Sequence, residues 1–149
     1  MVTKKVNNYV TSIILLIFSA CTSTSNQNSS SEITSIQSVL EKQTIGWNNG
    51  NIQEFMKGYD QSDSLQFITQ KGRTVGWQNV LNRYVSSYPT QKEMGKLQFK
   101  NLIVTMLDNN QAQVYGNWEV TKDSIFSGNF SLIMKKKTEG WKIIIDHTW

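Results

Sequence analysis

The strict alternation of side chains between residues 111 and 121 restricts the fold of this chain more than any other feature. Apolar or small residues occupy every second position, namely Ala112, Val114, Gly116, Trp118 and Val120. The positions between them are Gln111, Gln113, Tyr115, Asn117 and Glu119. Because neighbouring residues of a strand point to opposite faces, this pattern predicts a β-strand with one buried and one solvated face.

Three neighbouring segments are also typical of strands. They are residues 96–107, 127–137 and 140–149, and turn-forming Asp, Asn, Ser and Gly residues separate them. Short turns between consecutive strands favour antiparallel pairing. We therefore predict that the second half of the chain is an antiparallel sheet.

The first half has mainly helical spacing. Residues 31–49 place Ile36, Leu40, Gln43 and Trp47 on one stripe, which predicts a long helix. We expect a second, short helix capped by Asn51, a short strand over residues 65–69, and a third helix capped by Thr74 and ended by Pro89. Helices followed by an antiparallel sheet indicate an α+β fold with the helices on one side of the sheet.

The N-terminus has the three parts of a secretory signal. Two lysines precede an apolar run over residues 10–18, and Ser19-Ala20 follow it directly before Cys21. The run is too short to span a bilayer, which takes roughly 20 apolar residues. The sequence around Cys21 resembles the bacterial lipobox, in which the cysteine receives a diacylglyceryl group and further acyl chains such as palmitate.

We therefore expect an exported lipoprotein held on a membrane facing the periplasm or the cell exterior. The predicted parts are a signal peptide over residues 1–20, a lipidated Cys21 with a flexible tether over residues 21–31, and one domain over residues 32–149. The polar stretch after Cys21 holds no apolar residue that could be buried. Lipidation also explains why an exported chain carries a single cysteine, which cannot form an internal disulfide.

Composition excludes several kinds of function. The formal charge is +4, and it falls by two if Lys4 and Lys5 leave with the signal, so we expect no nucleic-acid partner. One histidine and one cysteine leave no zinc-type cluster, and we expect no metal. Glycine-rich phosphate loops and the Gly-x-Ser-x-Gly elbow are absent from the sequence, and we expect no cofactor.

A series of short motifs resembles the SnoaL-like proteins of the nuclear-transport-factor-2-like superfamily, and in particular the small lipoproteins of domain of unknown function 4440. The resemblance covers about residues 33–149. It includes Gly46-Trp47-Asn48, Gly58-Tyr59, Gly76-Trp77, Tyr88-Pro89, Gly116…Trp118 and Asp146-His147-Thr148. It implies a cystatin-like cone, in which a strongly curved antiparallel sheet wraps around the N-terminal helices.

The same resemblance implies an aromatic-lined pocket at the open end of the cone and, in many members, a homodimer through the sheet. Known members include a steroid isomerase, a dehydratase, polyketide cyclases and proteins of no known activity. The fold therefore does not determine the function. Three alternatives stay open: a pocket for a small apolar ligand, an acid–base enzyme of the isomerase or dehydratase type, and an interaction module without chemistry.

The candidate catalytic residues are His147 and a carboxylate from the loop before the short strand, Asp63 or Asp60. His147 is the only histidine, and strand alternation places it on the apolar face with Trp141, Ile143 and Ile145. A histidine there could act as a general acid or base, but it could equally line the pocket or be structural. Asp146 would point the other way, and we expect it to pair across the sheet or cap a turn.

The candidate ligand-binding residues are Trp47, Tyr59, Tyr84, Trp118 and His147. Tyrosine and tryptophan combine an apolar body with a polar atom, so they suit a pocket for a small, largely apolar molecule. Aromatic residues at helical spacing are, however, often plain core, and this alternative remains for Tyr84.

Overall fold

The structure is a computed structural model that describes residues 23–149, with side chains from Ser29 onward. The predicted signal peptide and Cys21 lie outside the described residues. The helices are α1 (Ser23–Asn48), α2 (Ile52–Met56), α3 (Trp77–Ser87) and α4 (Gln91–Met94). The strands are β1 (Gln66–Thr69), β2 (Gly72–Val75), β3 (Lys96–Met106), β4 (Gln111–Thr121), β5 (Ile125–Lys137) and β6 (Gly140–Thr148).

The described residues form one six-stranded sheet in the order β2-β1-β6-β5-β4-β3. The long strands β3 to β6 pair antiparallel, as predicted, and β1 joins β6 in the one parallel pairing of this sheet. The α+β class and the curved, cystatin-like sheet around N-terminal helices are confirmed. Strand β2 and helix α4 were not predicted, because both span only four residues and bury little.

The core lies between helix α1 and the concave face of the sheet. The predicted helical stripe is buried, with Ile36, Leu40, Gln43 and Trp47 at most 3% exposed. The alternation in β4 is also confirmed, since Ala112 and Val114 are fully buried and Tyr115 is exposed. The side chain of Gln43 is satisfied by donating from Nε2 to the carbonyl of Phe55 at 3.1 Å.

Two predicted caps have different outcomes. Asn51 caps α2, since its side-chain oxygen accepts from the backbone N–H of Glu54 at 3.1 Å. The prediction that Thr74 caps α3 is wrong, because Thr74 lies inside β2 and the residue before the helix is Gly76. Gly76 has a φ of 90°, a conformation that a residue with a Cβ rarely adopts.

Helix α1 begins earlier than expected. It extends back to Ser23, into the stretch predicted to be a flexible tether. Hydroxyl groups bond back along this helix, with Thr34 Oγ1 donating to the carbonyl of Ser30 and Ser35 Oγ to that of Ser31. These bonds satisfy the hydroxyl groups but do not stabilise a helix, so the support for this part of α1 comes from the buried residues further along it, such as Ile36 and Leu40. Over residues 23–149, no helix has both the length and the hydropathy needed to cross a bilayer.

Candidate ligand-binding site

The concave face of the sheet and the helices enclose a cavity of about 150 Å³. Most of its lining is aliphatic or aromatic. The aromatic side chains are those of Trp47, Phe55, Tyr59, Phe67, Tyr84, Tyr88, Phe99, Trp118 and Phe130. The cavity reaches the surface where its lining side chains are partly exposed to solvent. These side chains are Tyr88, Phe99, Trp118 and Thr148.

Aromatic contacts hold the helical wall of the cavity in place. The rings of Trp47 and Tyr88 meet edge to face with centroids 4.8 Å apart, and those of Phe55 and Tyr84 are 5.1 Å apart. Trp47 Nε1 donates to the carbonyl of Met94 at 3.0 Å. Edge-to-face pairs add about 0.5–1.5 kcal/mol each beyond the burial of area. The wall is therefore ordered before any ligand arrives.

A β-bulge in β6 decides which side chain enters the cavity from this strand. Ile145 pairs with Ile133 of β5, but the next pair toward the hairpin joins Ile143 to Met134, so Ile144 is an extra residue. A bulge of this kind shifts the alternation by one position. Trp141 and Ile143 are inward before the bulge, and Asp146 is inward after it, only 6% exposed.

Asp146 ends a chain of hydroxyl groups. Tyr59 donates from its hydroxyl to Asp146 Oδ2 at 2.7 Å, and the hydroxyls of Tyr59 and Tyr84 lie 3.3 Å apart. A phenol has one proton, so Tyr84 is the donor to Tyr59 while the ionised Asp146 accepts from Tyr59. Burial raises the pKa of Asp146 to about 7, although the hydrogen bond from Tyr59 opposes this shift. The pKa values of Tyr59 and Tyr84 are raised, again mainly by burial, and both stay neutral donors.

Two buried polar atoms that belong to cavity-lining side chains have no hydrogen-bond partner among the described residues. They are Asp146 Oδ1 and Trp118 Nε1. Leaving such an atom unsatisfied costs about 1–3 kcal/mol. Native proteins rarely keep buried polar atoms without a partner. Both atoms are themselves buried, so they lie behind the accessible surface of the cavity, which is mainly apolar.

The structure brings four of the predicted ligand-binding residues together and places the others elsewhere. Trp47, Tyr59, Tyr84 and Trp118 all line the cavity. His147 does not, and the prediction of its position is wrong. Its side chain is exposed on the outer face of the sheet, with its ring 4.8 Å from that of Trp149. The physical reason is the bulge at Ile144, which turns His147 outward.

The predicted catalytic carboxylates also lie away from the cavity. Asp63 is exposed in the loop before β1. Asp60 is buried, and its carboxylate accepts a 3.2 Å hydrogen bond from the ammonium group of Lys137. The inward carboxylate is instead Asp146, for which we predicted a cross-sheet pairing or a turn. A one-residue bulge inside the run Trp141 to Trp149 has no clear signal in the sequence, so alternation alone selected the wrong neighbour.

Comparison with solved structures gives relatives of this fold. A nuclear-transport-factor-2-like protein of unknown function from Shewanella oneidensis MR-1 shares 30% identity with a TM-score of 0.75, over 78% of this chain and 97% of that one. A nuclear transport factor 2-like superfamily protein from Salmonella enterica serovar Typhimurium shares 16% identity with a TM-score of 0.69, over 81% and 92% of the two chains.

A candidate scytalone dehydratase from Novosphingobium aromaticivorans shares only 11% identity with a TM-score of 0.67, over 83% of this chain and 86% of that one. At this identity the likeness concerns the fold alone. No protein-family model and no curated protein matches the chain. The identity and coverage of the Shewanella protein, together with the cone and its cavity, show that this chain belongs to the nuclear-transport-factor-2-like superfamily.

Proposed function

We propose that this protein binds a small, ring-sized and largely apolar molecule in the cavity between helix α1 and the sheet. The observation that carries the proposal is an aromatic-lined space of about 150 Å³ whose lining also includes the polar residues Gln43, Asp146 and Thr148. Binding pockets in proteins are mostly apolar with a few placed polar groups, and this cavity has that composition.

The volume sets the size of the ligand. An engineered cavity of about 150 Å³ in another protein accepts benzene. The present cavity therefore suits one substituted ring better than a fused polycyclic molecule. Since its wall is already packed, little ordering is needed on binding, which favours affinity.

A ligand-induced change of stability tests this proposal. We expect single-ring compounds such as toluene to raise the melting temperature of the wild-type protein. Leu132→Phe, which fills the cavity, should abolish the shift, because Leu132 lines it. Ile133→Phe is the matched control, since this neighbour in β5 faces outward and does not line the cavity. Equal shifts in all three proteins, or none in the wild type, would refute the proposal.

An acid–base enzyme is a second candidate, and Asp146 is the observation that favours it. The pKa of its carboxyl lies near 7, where a general acid or base is most effective. Its hydrogen bond from Tyr59 keeps one oxygen in place, and the other oxygen is buried without a partner among the described residues. This version of the enzyme uses Asp146, with Tyr59 and Tyr84 behind it, instead of the predicted His147 and Asp63. Loss of turnover in Asp146→Asn with ligand binding retained would support it.

We further propose, from the sequence, that the domain is exported and anchored through Cys21, as in the lipoproteins of domain of unknown function 4440. The signal-like residues 1–20 and the lipobox-like Ser19-Ala20-Cys21 support the proposal. Metabolic labelling with palmitate in a bacterial host tests it. Label should enter the wild type and be lost in Cys21→Ser, while Ser23→Ala should keep it. A labelled Cys21→Ser protein would contradict the assignment.

A further inference from the structure

We propose that the ligand is an aromatic carboxylate, whose ring lies in the cavity and whose carboxylate meets the ammonium group of Lys122 at the mouth. The mouth is the part of the cavity where lining side chains such as Tyr88 and Trp118 are partly exposed. This inference rests on the proposed function and names the chemical class of the ligand. It is carried by the position of Lys122, by the contacts of its side chain and by its lack of a carboxylate partner among the described residues.

Strand alternation places Lys122 on the concave side of the sheet. Trp118 and Val120 of β4 both line the cavity, and Lys122, just beyond the end of this strand, is the next position on the same face. Val114, further back on this face, is fully buried, whereas Phe126, which pairs with Val120, is 52% exposed. The concave face therefore opens to solvent toward Lys122.

Contacts hold the side chain of Lys122 at the mouth. Its ammonium nitrogen lies 5.3 Å from the centroid of the Tyr88 ring, at the end of helix α3, and 5.8 Å from that of the Phe126 ring, on the sheet. Its aliphatic stem passes over Gly95, where a Cβ would lie only 2.6 Å from Lys122 Cγ. The positive charge therefore stands between the helical side and the sheet side of the mouth.

The charge of Lys122 is not neutralised by a carboxylate of the described residues. The ion pairs in this part of the chain use other lysines, namely Lys57, Lys100, Lys136 and Lys137. Lys96, on the neighbouring strand, donates to the carbonyl of Asn48 at 2.9 Å. Cation–π contacts of an exposed ammonium group are weak, so Lys122 can still bind an anion.

The wall around Asp146 disfavours an anion and thereby orients the ligand. Asp146 pairs with Leu132 of β5, six positions from Phe126, which corresponds to roughly 20 Å along the strand. A carboxylate placed beside this carboxyl would be buried without a cation, which is costly. An aromatic carboxylate is therefore expected to bind with its ring inward and its charge toward Lys122.

Four compounds with the same methyl-substituted ring separate charge from shape. They are toluene, the neutral 4-methylbenzamide, the anionic 4-methylbenzoate and the cationic 4-methylbenzylamine. An exposed ion pair contributes at most about fivefold in affinity. We expect calorimetry at low ionic strength to show that 4-methylbenzoate binds the wild type up to about fivefold tighter than 4-methylbenzamide. The difference should shrink in about 1 M NaCl, because salt screens exposed charges.

Lys122→Glu reverses the charge at the mouth. This variant should bind 4-methylbenzylamine tighter than 4-methylbenzoate and keep its affinity for toluene within about twofold of wild type. Lys122→Gln should remove the preference for either charged compound. Lys71→Glu is the matched control, because it changes the net charge equally while Lys71 is exposed in the turn between β1 and β2, outside the cavity lining. It should keep the preference for 4-methylbenzoate.

The outcomes distinguish this inference from the proposed function. If the wild type binds toluene but binds 4-methylbenzoate no tighter than 4-methylbenzamide, the inference fails and the pocket stands. If Lys71→Glu changes the preference as much as Lys122→Glu does, net charge and not the mouth selects the ligand, and the inference also fails. If none of the four compounds binds the wild type, the proposed function fails together with the inference.

Discussion

The Tyr59 hydroxyl donates a 2.7 Å hydrogen bond to Asp146 Oδ2 and thereby joins the segment that follows helix α2 to strand β6. The two residues lie 87 positions apart in the sequence. The contact fixes one oxygen of a buried carboxyl and leaves the other without a partner among the described residues. The stability and the chemistry of the cavity therefore depend on the same group.

The raised pKa of Asp146 predicts a specific dependence of stability on pH. In the unfolded chain the carboxyl ionises near pH 4, whereas in the folded protein it ionises near pH 7. Between these values the folded state holds a proton that the unfolded state lacks, so the free energy of unfolding falls as pH rises. The loss is complete above about pH 7 and amounts to a few kcal/mol.

Asp146→Asn isolates this contribution, because asparagine has a similar shape and does not titrate. We expect the melting temperature of Asp146→Asn, measured relative to wild type, to increase from pH 4 to pH 7 and then to level off. Subtraction of the two curves removes the titration of other groups that the substitution does not affect. A difference that stays constant over this range would show that Asp146 is ionised in the folded protein at acidic pH.

Glu32 should show the opposite dependence on pH. Hydrogen bonds from Lys136 Nζ and Trp141 Nε1, each 2.7 Å, lower the pKa of its carboxyl. A lowered pKa adds stability that is present above the unfolded value and is lost as pH falls. Glu32→Gln should therefore lower the melting temperature by a few degrees at pH 7 and less at pH 3. Glu41→Gln, exposed on the same helix, is the control and should have no effect.

The outward position of His147 gives a direct prediction. His147→Ala should leave the affinity for ring compounds within about twofold of wild type, because the exposed imidazole does not line the cavity. The comparison is Phe67→Ala, which removes a ring from the wall and should weaken binding at least tenfold. Calorimetric titration with p-cresol measures both. A strong loss in His147→Ala alone would restore the role that strand alternation suggested.

Gly116 is predicted to be intolerant of any side chain. A Cβ at this position would lie 2.7 Å from Phe130 Cζ and 2.8 Å from Leu102 Cδ2. Overpacking of this kind typically costs about 1–3 kcal/mol, so Gly116→Ala should lower the free energy of unfolding in urea by that amount. Gln113→Ala, at an outward position of the same strand, should change it by less than about 0.5 kcal/mol. Equal effects of the two substitutions would argue against close packing at Gly116.

The exposed outer face of the sheet makes the expected homodimer testable. Ile103 is 60% exposed and Tyr115 is 39% exposed on this face. If copies of the chain associate there, Ile103→Glu should convert a dimer into a monomer in sedimentation equilibrium. Ile125→Glu is the control, since Ile125 is equally exposed but lies at the start of β5, at the hairpin. A wild-type protein that sediments as a monomer would contradict the expected homodimer.

Most of the fold was predictable because the spacing of apolar residues along the sequence matches the faces that are buried. The alternation from Ala112 to Val120 and the stripe from Ile36 to Trp47 each bury one continuous face, so local pattern and tertiary packing agree. Strand β2 was missed because its residues are mostly exposed and have no period to detect. The prediction that Thr74 caps a helix was wrong because a short hairpin and the start of a helix use similar residues.

The candidate site was predictable only where aromatic residues follow those same patterns. Trp47, Tyr59, Tyr84 and Trp118 were selected by face, and all line the cavity. Asp146, and not His147, points into the cavity because Ile144 is an extra residue in the strand register. The bulged residue is one isoleucine in a run of three, so its residue type does not distinguish it from its neighbours. The inward position of Asp146 is therefore visible only from the strand register.

A ligand in the cavity should change the indole N–H signals of the tryptophans around it, which can be followed while toluene is added to ¹⁵N-labelled protein; the chain has five tryptophans. Substitutions to phenylalanine assign each signal. We predict that the signals of Trp118 and Trp47 shift and saturate together, because both side chains line the cavity, whereas those of Trp77 and Trp149 stay in place. Unchanged signals of Trp118 and Trp47 at saturating toluene, or a shift confined to Trp149 on the outer face, would contradict a ligand-binding cavity in this protein.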